Sequence, residues 1–187
     1  FKLTDKAKEE LLCELNINET GKSVKGLIKA ETLAEKNLIY NTSECDQITE
    51  LSSILSESQF NEVQSRLRTA GMRTGFCCIF YGAPGTGKTE TVYQLARQTG
   101  RDIMRVDVDK IKSCWVGESE KNIKALFDRY RNICKNSKLA PILLFNEADA
   151  VLGVRMEGAA RAIDKMENSI QNIILQEMET LEGIMLS

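Results

Sequence analysis

The chain has 187 residues, 42% of them hydrophobic and 28% charged, with a formal net charge of −2. That length supports a domain with a well-filled core, and the near-neutral balance gives no electrostatic case for nucleic acid or a membrane surface. No apolar run approaches the ~20 residues that span a bilayer, and the absence of histidine excludes Ser-His or His-metal chemistry within this sequence. No secretory signal is visible, and the sequence opens at Phe1 rather than Met, so a missing natural N-terminus is expected. The six cysteines (Cys13, Cys45, Cys77, Cys78, Cys114 and Cys134) form no CxxC pair. Cys77 and Cys78 lie in an apolar run, where strand neighbours face opposite ways, so they are expected to pack rather than pair. This is the pattern of a reduced, cytoplasmic protein.

In chain order, Thr4 can cap a helix with Ala7, Leu11 and Leu15 on one face. Asn16-Ile17-Asn18 and Gly21 read as a turn, 27–36 as a helix and Leu38-Ile39-Tyr40 as a short strand. Ile48, Leu51, Ile54 and Leu55 mark one helix and Phe60, Val63 and Leu67 another, which Gly71 and Gly75 close. Residues 1–70 are thus read as a mainly helical N-terminal region and 71–187 as the core. Phe76 to Tyr81 is a continuous apolar run, as in a strand buried on both faces. A turn to Thr89, a helix to Thr99 and a strand over Asp102 to Asp107 follow. Ile123, Leu126, Phe127, Tyr130 and Ile133 give a helix from about Ser119 to Lys135, and Ile142 to Asn146 a third strand. Met166, Ile170, Ile173, Ile174, Met178 and Leu181 give another helix, and Ile184-Met185-Leu186 starts a fourth strand. The order β-α-β-α-β-α-β predicts an α/β fold, a parallel sheet with helices on both faces.

Gly82-Ala83-Pro84-Gly85-Thr86-Gly87-Lys88-Thr89 fits G-x-x-x-x-G-K-[ST] at every fixed position, between a predicted strand and a predicted helix. Glycines let backbone N–H groups curl around phosphate oxygens, and the helix aims its positive end at the same place. Lys88 is expected to reach the β- and γ-phosphates and Thr89 to offer its hydroxyl to Mg²⁺. The fold class is therefore that of a P-loop NTPase.

In such proteins a further strand ends in an Asp for the Mg²⁺ shell, and in many ATPases a Glu that polarises the attacking water comes next. Asn146-Glu147 occupies that place. Glu147 is the expected catalytic base. Asn146 keeps an oxygen for a metal-bound water but lacks the charge, which is expected to weaken Mg²⁺ binding without abolishing it, since Thr89 and the phosphates are ligands too. Asp149 reads better as a helix cap.

Four stretches, FYGAPGTGKTE, WVGESEKNIKALF, ILLFNEADAV and ENSIQNIILQEMETLEGI, together resemble the ATPase core of the AAA family in its bacterial cytosolic branch, over about 76–187. The resemblance extends the phosphate-binding run from Gly82 to Glu90 and implies ATP and Mg²⁺ as ligands. It implies a hexameric ring that couples ATP hydrolysis to remodelling of protein substrates; the charge and hydropathy above indicate neither nucleic acid nor membrane as partner. Trp115-Val116-Gly117 matches the family's aromatic–hydrophobic–glycine pore loop, where an aromatic grips many peptide sequences, though the chain's only Trp could instead be a packing anchor. Gly153 to Arg161 matches the second pore loop; for Arg155 and Arg161 a solvated charge is the better reading than a contact with a neighbouring subunit. The sequence departs from the family at Asn146, where Asp is usual. It also stops at Ser187, before the γ-phosphate sensor, the arginine fingers and the lid, so slow hydrolysis by this stretch alone is expected. The alternative reading is a nucleotide-gated switch or interaction protein with weak hydrolysis because of Asn146. A small-molecule P-loop kinase fits less well, since NEAD followed by an amphipathic helix suits an ATPase.

Overall fold

The computed structural model describes residues 26–107, 119–146, 148 and 162–187. In chain order it runs β1 (Leu27–Ile28), a short 3₁₀ turn (Ala30–Thr32), α1 (Thr42–Ile54), α2 (Glu57–Thr69), β2 (Phe76–Cys78), α3 (Lys88–Thr99), β3 (Ile103–Asp107), α4 (Ser119–Asn136), β4 (Ile142–Asn146), α5 (Ala162–Glu179) and β5 (Ile184–Leu186). The predicted helix after Thr4, the Trp115-Val116-Gly117 stretch, Glu147, Asp149 and Gly153 to Arg161 lie outside the described residues.

The strands form one sheet in the order β1-β3-β4-β5-β2. β2, β5, β4 and β3 are parallel, and β1 joins β3 antiparallel at the edge. Strand alternation sorts the core into two layers. Ile103, Ile142, Leu144, Ile184 and Leu186 face α1, α2 and α3 through Leu51, Leu55, Phe60, Val92 and Leu95. Met104, Val106, Leu143, Phe145 and Met185 face α4 and α5 through Ile123, Phe127, Tyr130, Ile170 and Ile174. Both faces of β4 are buried, which is why its sequence reads as an unbroken apolar run. This is the α/β architecture that the sequence predicts, with helices on both faces of the sheet.

Three local expectations change. Residues 27–36 do not form a helix, because tertiary pairing overrides the local pattern. Leu27 and Ile28 pair with Met104 and Ile103. The Asp102 carboxylate then takes the Lys29 ammonium at 2.7 Å and the Ala30 N–H at 3.1 Å, in place of helical partners. Leu38-Ile39-Tyr40 is not a strand; Ile39 is 99% exposed, and the stretch is tied to α3 by a hydrogen bond between the Tyr40 and Thr91 hydroxyls. The run from Phe76 is a strand only to Cys78, and Tyr81 is 94% exposed. Past Cys78 the pairing with the β5 segment goes on through the Ser187 N–H on the Cys78 carbonyl at 3.2 Å and the Phe80 N–H on the Ser187 carbonyl at 2.6 Å, and Tyr81 lies beyond it.

The two glycines expected to close α2 act differently. Gly71 ends the helix in a Schellman pair, with its N–H on the Arg68 carbonyl and the Met72 N–H on that of Leu67. Gly75 is needed for close approach: a Cβ there would lie 2.2 Å from the Leu181 carbonyl oxygen. Cys45, Cys77, Cys78 and Cys134 are free thiols, and no helix among the described residues is long and apolar enough to cross a membrane.

Tyr130 joins the α4 layer to two strand ends. Its buried hydroxyl accepts from the Ile184 N–H at 2.8 Å and lies 2.7 Å from the Pro141 carbonyl, to which it can donate. Burial pushes its phenol well above the ordinary tyrosine value, so it stays a protonated donor. A Cβ on Gly183 would meet that hydroxyl at 2.3 Å. Gly183→Ala is therefore expected to destabilise the fold by about 1–3 kcal/mol, as overpacking does. Urea unfolding at constant slope measures it.

Candidate functional site

Leaving β2, the chain turns through Gly82 to Gly87 into α3. Gly85 (φ 80°) and Gly87 (φ 87°) take left-handed backbone conformations that side chains resist. The Thr86 hydroxyl donates to the Ala83 carbonyl at 2.9 Å and pins the turn. Gly87 opens α3 with no side-chain cap, so no capping side chain competes for the first N–H groups of the helix. That is the arrangement that makes a helix N-terminus an anion site. Lys88 folds over the turn, its ammonium donating to the carbonyls of Gly82 at 2.8 Å and Ala83 at 3.0 Å. These partly exposed bonds are exchangeable for phosphate oxygens. The Glu90 carboxylate is held by the Lys36 ammonium at 2.8 Å and the Gln94 amide at 2.9 Å. Those two partners hold its carboxyl below the usual glutamate range. Its side chain is thus committed elsewhere, and its backbone N–H is what remains for a phosphate.

The second half of the site follows from strand parity. Ile142 and Leu144 face α3, so Asn146 does too. Its Oδ1 accepts the Thr89 hydroxyl at 3.1 Å. Ile103 faces α3 as well, which puts Arg105 and Asp107 on that side of β3. Asp107 and Asn146 are register partners across the parallel pair, and the Asn146 amide donates to Asp107 Oδ1 at the long distance of 3.5 Å. Arg105 donates to the same oxygen at 2.7 Å and to the Tyr93 hydroxyl at 3.1 Å.

Gly82, Gly85, Lys88, Thr89, Asn146 and Ser187 border one cleft of 820 Å³. It opens at the carboxyl ends of the parallel strands, where α/β sheets bind ligands. The structure therefore brings the predicted phosphate cradle together with Thr89 and Asn146. Glu147 and Trp115-Val116-Gly117 lie outside the described residues. Sequence reading missed Asp107 and Ser187. The Ser187 hydroxyl is buried without a hydrogen-bond partner beside the cleft, an acceptor and donor that a polar ligand would satisfy. The alternating pattern Ile103-Arg105-Asp107 was the signal for Asp107, since it places a carboxylate level with Asn146.

The donors here suit a small hard cation. Thr89 and Asn146 offer side-chain oxygens, and among the described residues no cluster of three His, Cys, Asp or Glu could hold a metal unaided. Mg²⁺ keeps few protein ligands and takes the rest from water and phosphates, so the set fits a cation that arrives with a nucleotide. Thr89 and Asn146 would hold it, and it would supply charge neutralisation at the phosphates.

Comparison with known proteins agrees. The model of the family described as "ATPase family associated with various cellular activities (AAA)" matches residues 78–185. The chain is 31% identical over 104 residues to Cell division protein C of Sulfolobus acidocaldarius, covering 56% of this chain and 26% of that protein. It is 30% identical over 138 residues to the 26S proteasome regulatory subunit 7 homolog of Saccharomyces cerevisiae, covering 74% of this chain and 27% of that one. It is 30% identical over 120 residues to the Proteasome-associated ATPase of Thermobifida fusca, covering 57% and 20%. The chain thus spans between a fifth and about a quarter of the length of these relatives. With the family model matching more than half of its residues over the loop and strands that build the cleft, the chain belongs to the AAA family of ATPases.

Proposed function

We propose that this chain is the Mg-ATP-binding module of a cytoplasmic protein that couples ATP hydrolysis to remodelling or unfolding of protein substrates in a hexameric ring. The observation that carries the reading is the convergence of Lys88, Thr89 and Asn146 on one cleft at the carboxyl ends of the strands. In this reading the backbone from Gly82 to Glu90 cradles the phosphates, and Lys88 releases the loop carbonyls to reach the β- and γ-oxygens. The Thr89 hydroxyl and Asn146 Oδ1 form the protein side of the metal shell. Glu147, one residue beyond Asn146, polarises the attacking water, and Trp115-Val116-Gly117 grips the polypeptide. The relatives named as proteasome subunits or as proteasome-associated favour a protein as the substrate.

The test is calorimetric titration of the chain with ATP in Mg²⁺, followed by phosphate-release assays on the longer protein. One saturable ATP site per chain is expected, with turnover in the longer protein raised by an unfolded polypeptide. Binding without turnover would favour the nucleotide switch, and no binding at all would overturn the ATP-site reading.

A further inference from the structure

We propose that Tyr40 is a positioning residue for the phosphate-binding turn: through Thr91 its hydroxyl fixes the Gly87 carbonyl, and with it the aim of the Lys88 N–H at the mouth of α3. The inference rests on the Mg-ATP reading above and assigns a residue from outside the sequence motifs.

The Thr91 hydroxyl has a single proton and donates it to the Gly87 carbonyl at 3.1 Å. Its oxygen is therefore the acceptor in the 3.0 Å contact with the Tyr40 hydroxyl. The bonds run in one direction, Tyr40 to Thr91 to Gly87, and donation into the threonine oxygen strengthens the bond that follows. Gly87 is where such a hold matters. It enters α3 in a left-handed conformation (φ 87°), and a glycine sets little of its own geometry. Its carbonyl is held by two donors from Thr91, the N–H at 2.8 Å and the hydroxyl. A trans peptide unit is planar, so a Gly87 carbonyl drawn down the helix turns the Lys88 N–H the opposite way, out of the helix and toward the turn. There it joins the N–H groups that a phosphate would take. Thr91 is only 3% exposed, so water does not readily stand in for the tyrosine. The segment that carries Tyr40 is fastened to α3 by other bonds as well. The Gln94 side-chain amide accepts the Lys36 N–H at 3.2 Å and donates to the Ala34 carbonyl at 3.0 Å, as a neighbouring strand would. Lys36 pairs with Glu90 and Glu35 with Arg97, both at 2.8 Å. Removing one hydroxyl therefore leaves the segment in place and tests the bond alone.

The experiment measures affinity for ATP and for tripolyphosphate, both in Mg²⁺, by calorimetry on the wild-type chain, Tyr40→Phe, Thr91→Val, Thr91→Ser and the double variant Y40F/T91V. Tripolyphosphate carries the phosphates without base or sugar, and where its own heat is small its affinity is read by competition with ATP. Tyr40→Phe is expected to weaken both ligands equally, by about 3- to 10-fold, the worth of one net hydrogen bond. Thr91→Val is expected to lose at least as much, and Thr91→Ser, which keeps the hydroxyl, to bind as the wild type does. The double variant is expected to match T91V, since the two hydroxyls act in series. A loss for ATP with none for tripolyphosphate overturns the proposal, because it places Tyr40 at the base end of the ligand. Unchanged affinities in Y40F overturn it as well, and a lowered melting temperature beside them would make Tyr40 a structural tie only. Losses that add in the double variant break the series and overturn it too. A wild type that binds neither ligand is a different result and takes down the nucleotide reading itself. Melting curves check that each variant is folded, and Thr91→Ala carries the same comparison if T91V is not.

Discussion

Lys88→Ala is expected to lower ATP affinity by about 10- to 100-fold while leaving the fold intact. The two halves of that expectation have separate origins. The ammonium stands at the cleft, bonded to the carbonyls of Gly82 and Ala83 at 2.8 and 3.0 Å. Bound phosphates offer it charged acceptors instead, and hydrogen bonds to charged groups contribute about 1.5–3 kcal/mol each. One such interaction lost is about one to two decades in affinity. The stability side is smaller because both carbonyls lie in a loop with exposed residues, where water replaces the ammonium. A surface substitution of this kind stays within about 0.5 kcal/mol, so the melting temperature of a chain this long shifts by about 2 °C or less. Fluorescence or calorimetric titration gives the first quantity and a thermal melt the second. A large fall in melting temperature would mean that Lys88 is a structural clamp on the loop, and unchanged ATP affinity would remove it from the phosphate site.

The turn from Gly82 to Gly87 and the helix after it were legible in sequence because their geometry is local. Gly85 and Gly87 answer to backbone conformation and Lys88 to its place in the motif, and neither needs a distant partner to be recognised. The central strands were legible for a similar reason, since burial on both faces writes a continuous apolar run at Ile142 to Phe145. What failed was set by partners far along the chain. Leu27 and Ile28 become a strand because β3 is beside them, and Asp102 holds the turn that follows, 72 residues from Ala30. No pattern within 27–36 announces this. The strand after Phe76 was read on to Tyr81 because apolar content does not say where pairing with a neighbour stops, here at Phe80 on Ser187. Asp107 sits between these cases. Its residue type was visible, and so was its place at the end of a strand. Its relation to Asn146 required the register of β3 against β4, which only the assembled sheet supplies.

Arg101→Ala is expected to destabilise the fold by about 3–5 kcal/mol without changing ATP affinity in the folded protein. Arg101 is 1% exposed, an unusual burial for a guanidinium. Its Nε donates to the Leu55 carbonyl at 2.8 Å and one terminal nitrogen to the Ala140 carbonyl at 2.7 Å, and its Cζ lies over the Phe60 ring, 4.7 Å from the ring centroid. Burial lowers its affinity for the proton from the usual arginine range, but arginine starts so high that it stays charged at any working pH. Two opposing terms set the size of the effect. Truncation relieves the desolvation of a buried charge. Against that, it orphans the buried Leu55 carbonyl, at about 1–3 kcal/mol, loses the contact with Phe60, and opens a cavity of the kind that costs about 2–5 kcal/mol for other long side chains. The sum favours net loss. Arg101→Met separates the terms, since it fills most of the space and removes the charge but leaves both carbonyls unbonded; a loss of about 1–3 kcal/mol is expected. Denaturant unfolding of the two variants gives the ranking. If Ala and Met are equally mild, the bonds to Leu55 and Ala140 merely offset the burial of the charge. Arg101 precedes β3 at the amino end of the sheet, where it ties the corner between α1 and α2 to the approach to β4, while the cleft proposed for ATP lies at the carboxyl ends of the strands. Loss of stability and loss of nucleotide binding should therefore separate cleanly between Arg101 and Lys88, because they fasten opposite ends of the same parallel strands.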